Sequence, residues 1–263
     1  DHKLRKESTN EAKDLKHKLK KNFKIECKIL SKKNSKIDKN IQSYARDLRY
    51  DLFIKECAKN NISNLLLGHH KDDLIENFFI RLLRGSGLRG LISFNKIKSK
   101  VKLNDKVFIF RPLIDISKKD LVYISKNTFN YNVEDPSNLD DKFLRVKVRK
   151  LISNLEKDGL TFDKFKLSLS NLNKSNYAID YYVQKNIENN SNYLKLNKTI
   201  ILKDDFLKQP DEIVFRSLSE VIQKVGKKNT FTRGVKVENL LKYLKSINNY
   251  SKKTLSGCII QKL

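Results

Sequence analysis

The 263-residue chain has no methionine and only three cysteines, and it sets 30 acidic residues against 56 basic ones. No apolar run approaches the ~18 residues of a transmembrane helix, so no membrane partner is expected. Cys27, Cys57 and Cys258 are too few and too scattered for a disulfide framework or a zinc knuckle, which points to a reducing, cytoplasmic setting. The opening DHKLRKESTNEAKDLKHKLKK lacks the apolar stretch of a secretion signal. Without a methionine, and starting at Asp1, the chain is expected to be a piece of a longer protein. There is no internal repeat, which excludes a solenoid.

The formal net charge is +26. A polyanionic partner would explain it, because every phosphate neutralised by Lys or Arg releases a condensed counterion. Compositional drift shares the credit: 45 of the 56 basic residues are Lys, and Asn and Ile are abundant, as an AT-rich coding sequence would produce. Arginine is the more telling residue, since drift works against it. Eight of eleven arginines lie between Arg46 and Arg149, and anion binding is expected there.

Along the chain, Ala12, Leu15 and Leu19 have helical spacing over residues 7–21, and Ile25, Cys27 and Ile29 alternate as in a strand. SKKNSKIDKN reads as a loop. From Ile41, the apolar positions Tyr44, Ala45, Leu48, Leu52, Phe53 and Cys57 keep a helical period up to Asn60 and Asn61. Leu65, Leu66 and Leu67 are the short apolar run of a buried parallel strand. LISFNKIKSKVKLNDKVFIFRPL reads as a strand pair, and Ser117 caps a helix through Lys126. EDPSN is a turn, and residues 140–155 read as a helix carrying Arg145 and Arg149 one turn apart. The alternation predicts an α/β fold, a Rossmann-like parallel sheet flanked by helices, over residues 1–155. Residues 156–196 are expected to form a helical linker packed by Leu172, Tyr177, Ile179, Tyr182, Val183 and Ile187. Residues 197–263, with short alternating runs and one amphipathic helix around ENLLKYLKS, are expected to form a small α+β module.

One stretch, LLLGHHKDDLIENFFIRLLRGSGLRGL at 65–91, concentrates titratable groups just after a strand. Ligands of open parallel sheets sit at that end of a strand. If a helix starts there, His69, Asp73 and Glu76 stand at i, i+4 and i+7 on one face, while Asp72 points off the stripe. Carboxylates near a helix N-terminus are also ordinary caps. A convergence of all three could hold a divalent metal or an organic amine, and periodicity does not choose. Arg84, Gly85, Ser86 and Gly87 follow. The glycines suit a helix C-cap, and the turn could also direct amides to a phosphate with Arg84 and Arg89 supplying charge.

GHHKDDLIENFFIRLLRGSGLRGL resembles the second signature of the tRNA(Ile)-lysidine synthetases, Gly-His-His-x-Asp-Asp-Gln-x-Glu-Thr followed by Leu-x-Arg-Gly-Ser-Gly. DHKLRKESTNEA, YARDLRYDLF, FRPLIDISKKDL and EDPSNLDDKFLRVKVR are similar to further segments of that family in the same order, and TLSGC to a C-terminal element. The family belongs to the N-type ATP pyrophosphatases. The resemblance implies ATP and Mg2+ as cofactors, and as partners free L-lysine and the tRNA(Ile) with a CAU anticodon, with a homodimer left open. The implied reaction adenylates the wobble cytidine at the C2 oxygen with loss of pyrophosphate; the lysine ε-amine then displaces AMP to form lysidine. By the same resemblance, Asp73 and Glu76 are the catalytic candidates and contact the lysine amines, with Arg49 near its carboxylate. His69, Arg84, Gly85, Ser86, Gly87, Arg145 and Arg149 are assigned to nucleotide or tRNA phosphate; for the last two, a salt-bridged helix face is an equal alternative. No metal ligand is assigned, and residues 197–263 become a tRNA-binding module.

Two departures stand out. Leu74 and Asn77 occupy the positions of the usual Gln and Thr, which alters the hydrogen bonding around the acids. The family's ATP loop, Ser-Gly-Gly-x-Asp-Ser, would lie upstream of DHKLR, so these 263 residues alone are expected not to adenylate cytidine. Two alternatives are a non-catalytic tRNA-binding fragment and a metal-dependent phosphohydrolase built on His69, Asp73 and Glu76. A sulfur-transferring tRNA enzyme is disfavoured, because no two cysteines are close in sequence.

Overall fold

The computed structural model describes residues 1–3, 7–31, 41–94, 98–101, 104–130, 144–194, 199–227, 231–246 and 252–261. The chain divides into two units, residues 1–68 with 97–112 and residues 69–96 with 113–263. Among the described residues no helix is long and apolar enough to cross a membrane.

The first unit contains helices α1 (Ser8–Phe23) and α2 (Ile41–Lys59) and strands β1 (Asn64–Leu66), β2 (Lys98–Val101) and β3 (Asn104–Phe110). β1 runs parallel to β3, with Leu65 opposite Ile109, and β2 pairs antiparallel on the other side of β3. A parallel pair needs a long crossover, which the intervening chain supplies. Ile54 and Cys57 of α2 pack on Leu67, Val107 and Ile109, so the helical period read from Ile41 does cover the sheet. Leu66 is 67% exposed, however, so the leucine run is covered on one face only. The strand expected at Ile25, Cys27 and Ile29 has no ladder partner among the described residues. Alternation marks a two-sided segment, but a strand also needs a neighbouring backbone to receive its hydrogen bonds.

The second unit is mainly helical: α3 (Lys71–Leu83), α4 (Leu88–Leu91), α5 (Lys118–Phe129), α6 (Leu144–Lys157), α7 (Phe162–Asn190), α8 (Asp211–Val225) and α9 (Gly234–Ser246). Two hairpins join them, β4 (Ser191–Leu194) with β5 (Thr199–Leu202) and β6 (Lys253–Leu255) with β7 (Cys258–Ile260). Ser117 caps α5, its hydroxyl accepting the Asp120 N–H at 3.1 Å. The EDPSN turn and residues 140–143 lie outside the described residues.

This unit has two cores. In one, Leu74 and Ile75 of α3 meet Val148 and Ile152 of α6 and Phe165 and Leu169 of α7, so α7 packs across the boundary expected near residue 155. In the other, Phe206, Leu218, Val221 and Ile222 gather with Val237 and Leu240 of α9 and with Cys258. The reading above assigns no helix to 211–225, yet α8 carries the largest buried set of any element, including Arg216. Its signals are present in the sequence: Pro210, acids in the first turn, apolar residues three and four apart, and Gly226 at the end.

Candidate active site

α3 begins right after Gly68-His69, and its first turn is fixed by polar contacts. The Lys71 amide donates to the Ile116 carbonyl at 3.0 Å. Asp73 accepts the His70 backbone N–H at 3.1 Å, satisfying one of the donors that a helix start leaves unpaired. The His70 ring lies between two acids, Nδ1 3.4 Å from Asp72 and Nε2 3.4 Å from Asp73. Asp72 also accepts the Lys118 N–H at the start of α5, at 2.7 Å.

The electrostatics follow from this packing. Asp72 is held well below its ordinary 3.8, at about 2, first by the His70 ring and further by the Lys118 amide, against the opposing effect of burial. His70 moves the other way: the Asp72 carboxylate raises it, burial opposes, and the charges of Asp73 and Glu76 add to the rise. His70 and Asp72 therefore each favour the charged form of the other at the start of α3.

One turn on, Glu76 is 3% exposed, an unusual place for a carboxylate. Arg149 Nε of α6 donates to its Oε1 at 2.6 Å, and Arg145 Nε stands 3.5 Å from Oε2. A buried charge is tolerable when paired and hydrogen-bonded in this way. A cleft of about 190 Å3 opens beside it, lined by Asp72, Ile75, Glu76, Lys118, Arg149, Ile152, Ser153 and Glu156. Acids and cations thus share a small cleft, able to take a ligand with both an ammonium and an anionic group.

The structure brings together Glu76, Arg145 and Arg149, and separately His70, Asp72 and Asp73. It does not gather His69, Asp73 and Glu76 onto one ligand. The His69 ring instead packs edge-on against the buried Phe94, with centroids 5.1 Å apart, and Asp73 caps the helix. Asp72, placed off the stripe by helical spacing, lines the cleft because α5 approaches that side. Among the described residues, no three His, Cys, Asp or Glu side chains stand as a metal-holding group. The described residues therefore form no all-protein cage, whereas Mg2+ is ordinarily held by one or two carboxylates together with substrate phosphates.

Gly85 has φ +69 and ends α3 in a Schellman arrangement: Ser86 N–H donates to the Arg81 carbonyl at 3.0 Å and Gly85 N–H to that of Leu82 at 2.9 Å. Gly87 is the N-cap of α4, its carbonyl accepting from Gly90 and Leu91. Arg84 is exposed and makes no side-chain hydrogen bond or ion pair with any described residue.

In the first unit, Arg49 Nε donates to His2 Nε2 at 3.3 Å. Burial lowers the His2 pKa, and the Arg49 charge lowers it further. The Arg46 guanidinium lies 5.3 Å from the Tyr50 ring centre. Arg111 is buried beside Tyr50, which offsets part of the desolvation that pulls its pKa down. This Arg-Tyr group is absent from the expectations above, although Arg46, Arg49 and Tyr50 share a stripe at i, i+3 and i+4.

Residues 1–156 match the model of the PP-loop domain. The chain is 33% identical over 274 residues to the tRNA(Ile)-lysidine synthase of Orientia tsutsugamushi, covering 99% of this chain and 59% of that protein. It is 31% identical over 261 residues to that of Wolbachia pipientis, covering 99% of this chain and 60% of the relative. The chain thus spans about three fifths of the length of these relatives. Among solved structures, a U34-tRNA thiolase from Methanococcus maripaludis with its [4Fe-4S] cluster aligns at TM-score 0.50 and 18% identity, covering 63% of this chain and 56% of that one; this shows a shared fold.

Proposed function

The chain belongs to the PP-loop family, and from that premise we propose that it serves the ATP-dependent ligation of lysine to the wobble cytidine of a tRNA(Ile) with a CAU anticodon. In the first step the cytosine C2 oxygen attacks the α-phosphate of ATP and pyrophosphate leaves. In the second, the lysine ε-amine attacks C2, AMP leaves with the oxygen, and the amine proton is lost. A cytoplasmic setting goes with such a substrate.

The observation that carries this reading is the mixed cleft beside α3, within a chain whose relatives are named for the reaction. Glu76, which lines the cleft, and Asp73, once released from its cap on the His70 N–H, are the proposed acceptors for the lysine amines. His69, Arg84, the Gly85-Ser86-Gly87 turn, Arg145 and Arg149 are the groups proposed to face nucleotide or tRNA phosphate. Glu76 is already neutralised by Arg149. An ammonium group that takes over its carboxylate releases a guanidinium toward phosphate, so lysine entry and phosphate binding reinforce each other. Charge on the transferring phosphoryl group is stabilised by such preplaced cations.

The test uses the protein expressed from its own initiation codon, with ATP, labelled lysine and a CAU-anticodon transcript. Lysine on the wobble cytidine with matching release of AMP and pyrophosphate is expected, and none on a transcript with uridine at that position. Arg49→Ala is expected to raise KM for lysine. Tight transcript binding without lysine incorporation would refute the ligase reading in favour of a non-catalytic RNA-binding role.

A further inference from the structure

A second and larger cleft lies elsewhere in the helical unit. It measures about 560 Å3, within the ~300–1,000 Å3 typical of small-ligand sites. Its apolar floor is Ile187, Ile200 and Val221. Each of two sides is an aromatic ring covered by a cation: the Arg89 guanidinium lies 4.2 Å from the Phe231 ring centre, and the Lys224 ammonium 5.0 Å from that of Tyr193. Glu220 links two other lining residues, accepting Arg89 Nη2 at 2.9 Å through one oxygen and Gln184 Nε2 at 2.9 Å through the other. Gln223 adds another amide.

These groups constrain the ligand. A simple anion would meet the Glu220 carboxylate. A purely apolar molecule would use the apolar lining alone and leave the linked Gln184, Glu220 and Arg89 side chains without a role in recognition. A planar, heteroaromatic ring with donors and acceptors on its edge satisfies both sets: rings and aliphatic carbons against its faces, amides and carboxylate along its edge. Lys224 suits an attached phosphate.

The approach to the cleft is also patterned. Tyr177, Tyr181 and Gln184 occur at i, i+4 and i+7 on α7 and therefore share one stripe. Tyr177 and Tyr181 are 77% and 52% exposed, and the Lys185 ammonium lies 5.6 Å from the Tyr181 ring centre. Exposed rings flanked by lysines are the surface on which unstacked bases lie, each base contributing through its face whatever its sequence.

We propose that this cleft receives one unstacked nucleotide of a single-stranded RNA segment that runs along the tyrosine stripe of α7. The inference rests on the reading of the chain as acting on tRNA and adds a second point of RNA contact, away from the α3 cleft. The nucleotide base packs against Tyr193 and the apolar floor, with its edge read by Gln184 and Gln223. Its phosphate faces Lys224. Arg89 holds Glu220 in place and closes the Phe231 side.

The experiment measures fluorescence anisotropy of the full chain with a labelled CAU anticodon stem-loop and with a blunt RNA duplex. Tyr193→Ala is expected to weaken stem-loop binding about tenfold and leave duplex binding unchanged. Tyr193→Phe, which keeps the ring, is expected to bind as wild type. Lys224→Gln is expected to lower the slope of log Kd against log salt by about one. Photocrosslinking of iodouridine-substituted stem-loop should give adducts at Tyr193 or Phe231. Matched thermal melts establish that each variant is folded. If wild type binds the stem-loop while Tyr193→Ala and Lys224→Gln bind equally well and adducts map elsewhere, the cleft assignment is overturned and the proposed reaction stands. If wild type binds no RNA, both are overturned.

Discussion

Replacing Glu76 by Gln tests whether α3 and α6 are held by a charge rather than by shape. The substitution keeps the size of the side chain and an acceptor oxygen toward Arg149, but removes the negative charge that faces two guanidiniums. Taking one partner from a fully buried pair costs about 3–5 kcal/mol. Here the two arginine side chains are 34% and 43% exposed, so water solvates part of the charge left behind and the figure must be reduced. The amide also retains part of a hydrogen bond that, when charge-assisted, contributes about 1.5–3 kcal/mol. A loss of about 1–2 kcal/mol is expected. In urea this moves the midpoint down by roughly 0.5–1 M with the slope unchanged. Hydrogen exchange should place the loosened amides in α3 and α6. A cycle with Arg149→Gln isolates the pair, with an expected coupling of about 1 kcal/mol. A coupling below about 0.3 kcal/mol would refute the reasoning and leave the α3–α6 packing to Leu74, Ile75 and Val148.

The His70–Asp72 pair gives a pH window. Asp72 is depressed to about 2, so its contribution is complete above 3.8 and is lost as pH falls through about 2. His70 is raised, so its contribution is complete below 6.5 and is lost as pH rises through its higher folded value. Wild type is expected to be most stabilised relative to His70→Gln between about pH 4 and 6.5; parallel unfolding curves across pH 2 to 8 would contradict this. Arg216, 2% exposed, donates to Glu212 and Asn176 at 2.6 Å and to Asp180 at 3.1 Å. Arg216→Ala is expected to cost about 2–4 kcal/mol in thermal unfolding, and Arg216→Lys to recover less than half, since an ammonium does not reproduce the planar fork. At Gly226 an added Cβ would lie 2.3 Å from the Ser256 carbonyl oxygen and 3.2 Å from Cys258 Sγ. Gly226→Ala is therefore expected to cost about 1–3 kcal/mol, read as a lower melting temperature with early exchange in the β6–β7 hairpin.

Much of the fold is legible because its signals are local. The apolar period from Ile41 yields α2, the Ser117 cap begins α5, and the run at Leu65 gives a strand paired in parallel with β3. The order of motifs identifies the family. α8 shows the cost of reading a segment by its neighbours: it lies between short alternating runs, against which its period does not stand out. The segment around Ile25 shows the converse, with the pattern of a strand but no ladder among the described residues.

The sequence by itself determined which residue types crowd the start of α3, that a helix would carry them, and that eight of the eleven arginines fall between residues 46 and 149. Only the tertiary structure decided their partners. Glu76 meets Arg149 across 73 positions and Arg89 meets Glu220 across 131, while Asp72 rather than Asp73 faces the cleft because α5 packs on that side. A helical period specifies a face of a cylinder. Which charge stands opposite that face depends on side-chain packing among elements distant in the chain, at separations of about 3 Å that no local pattern encodes.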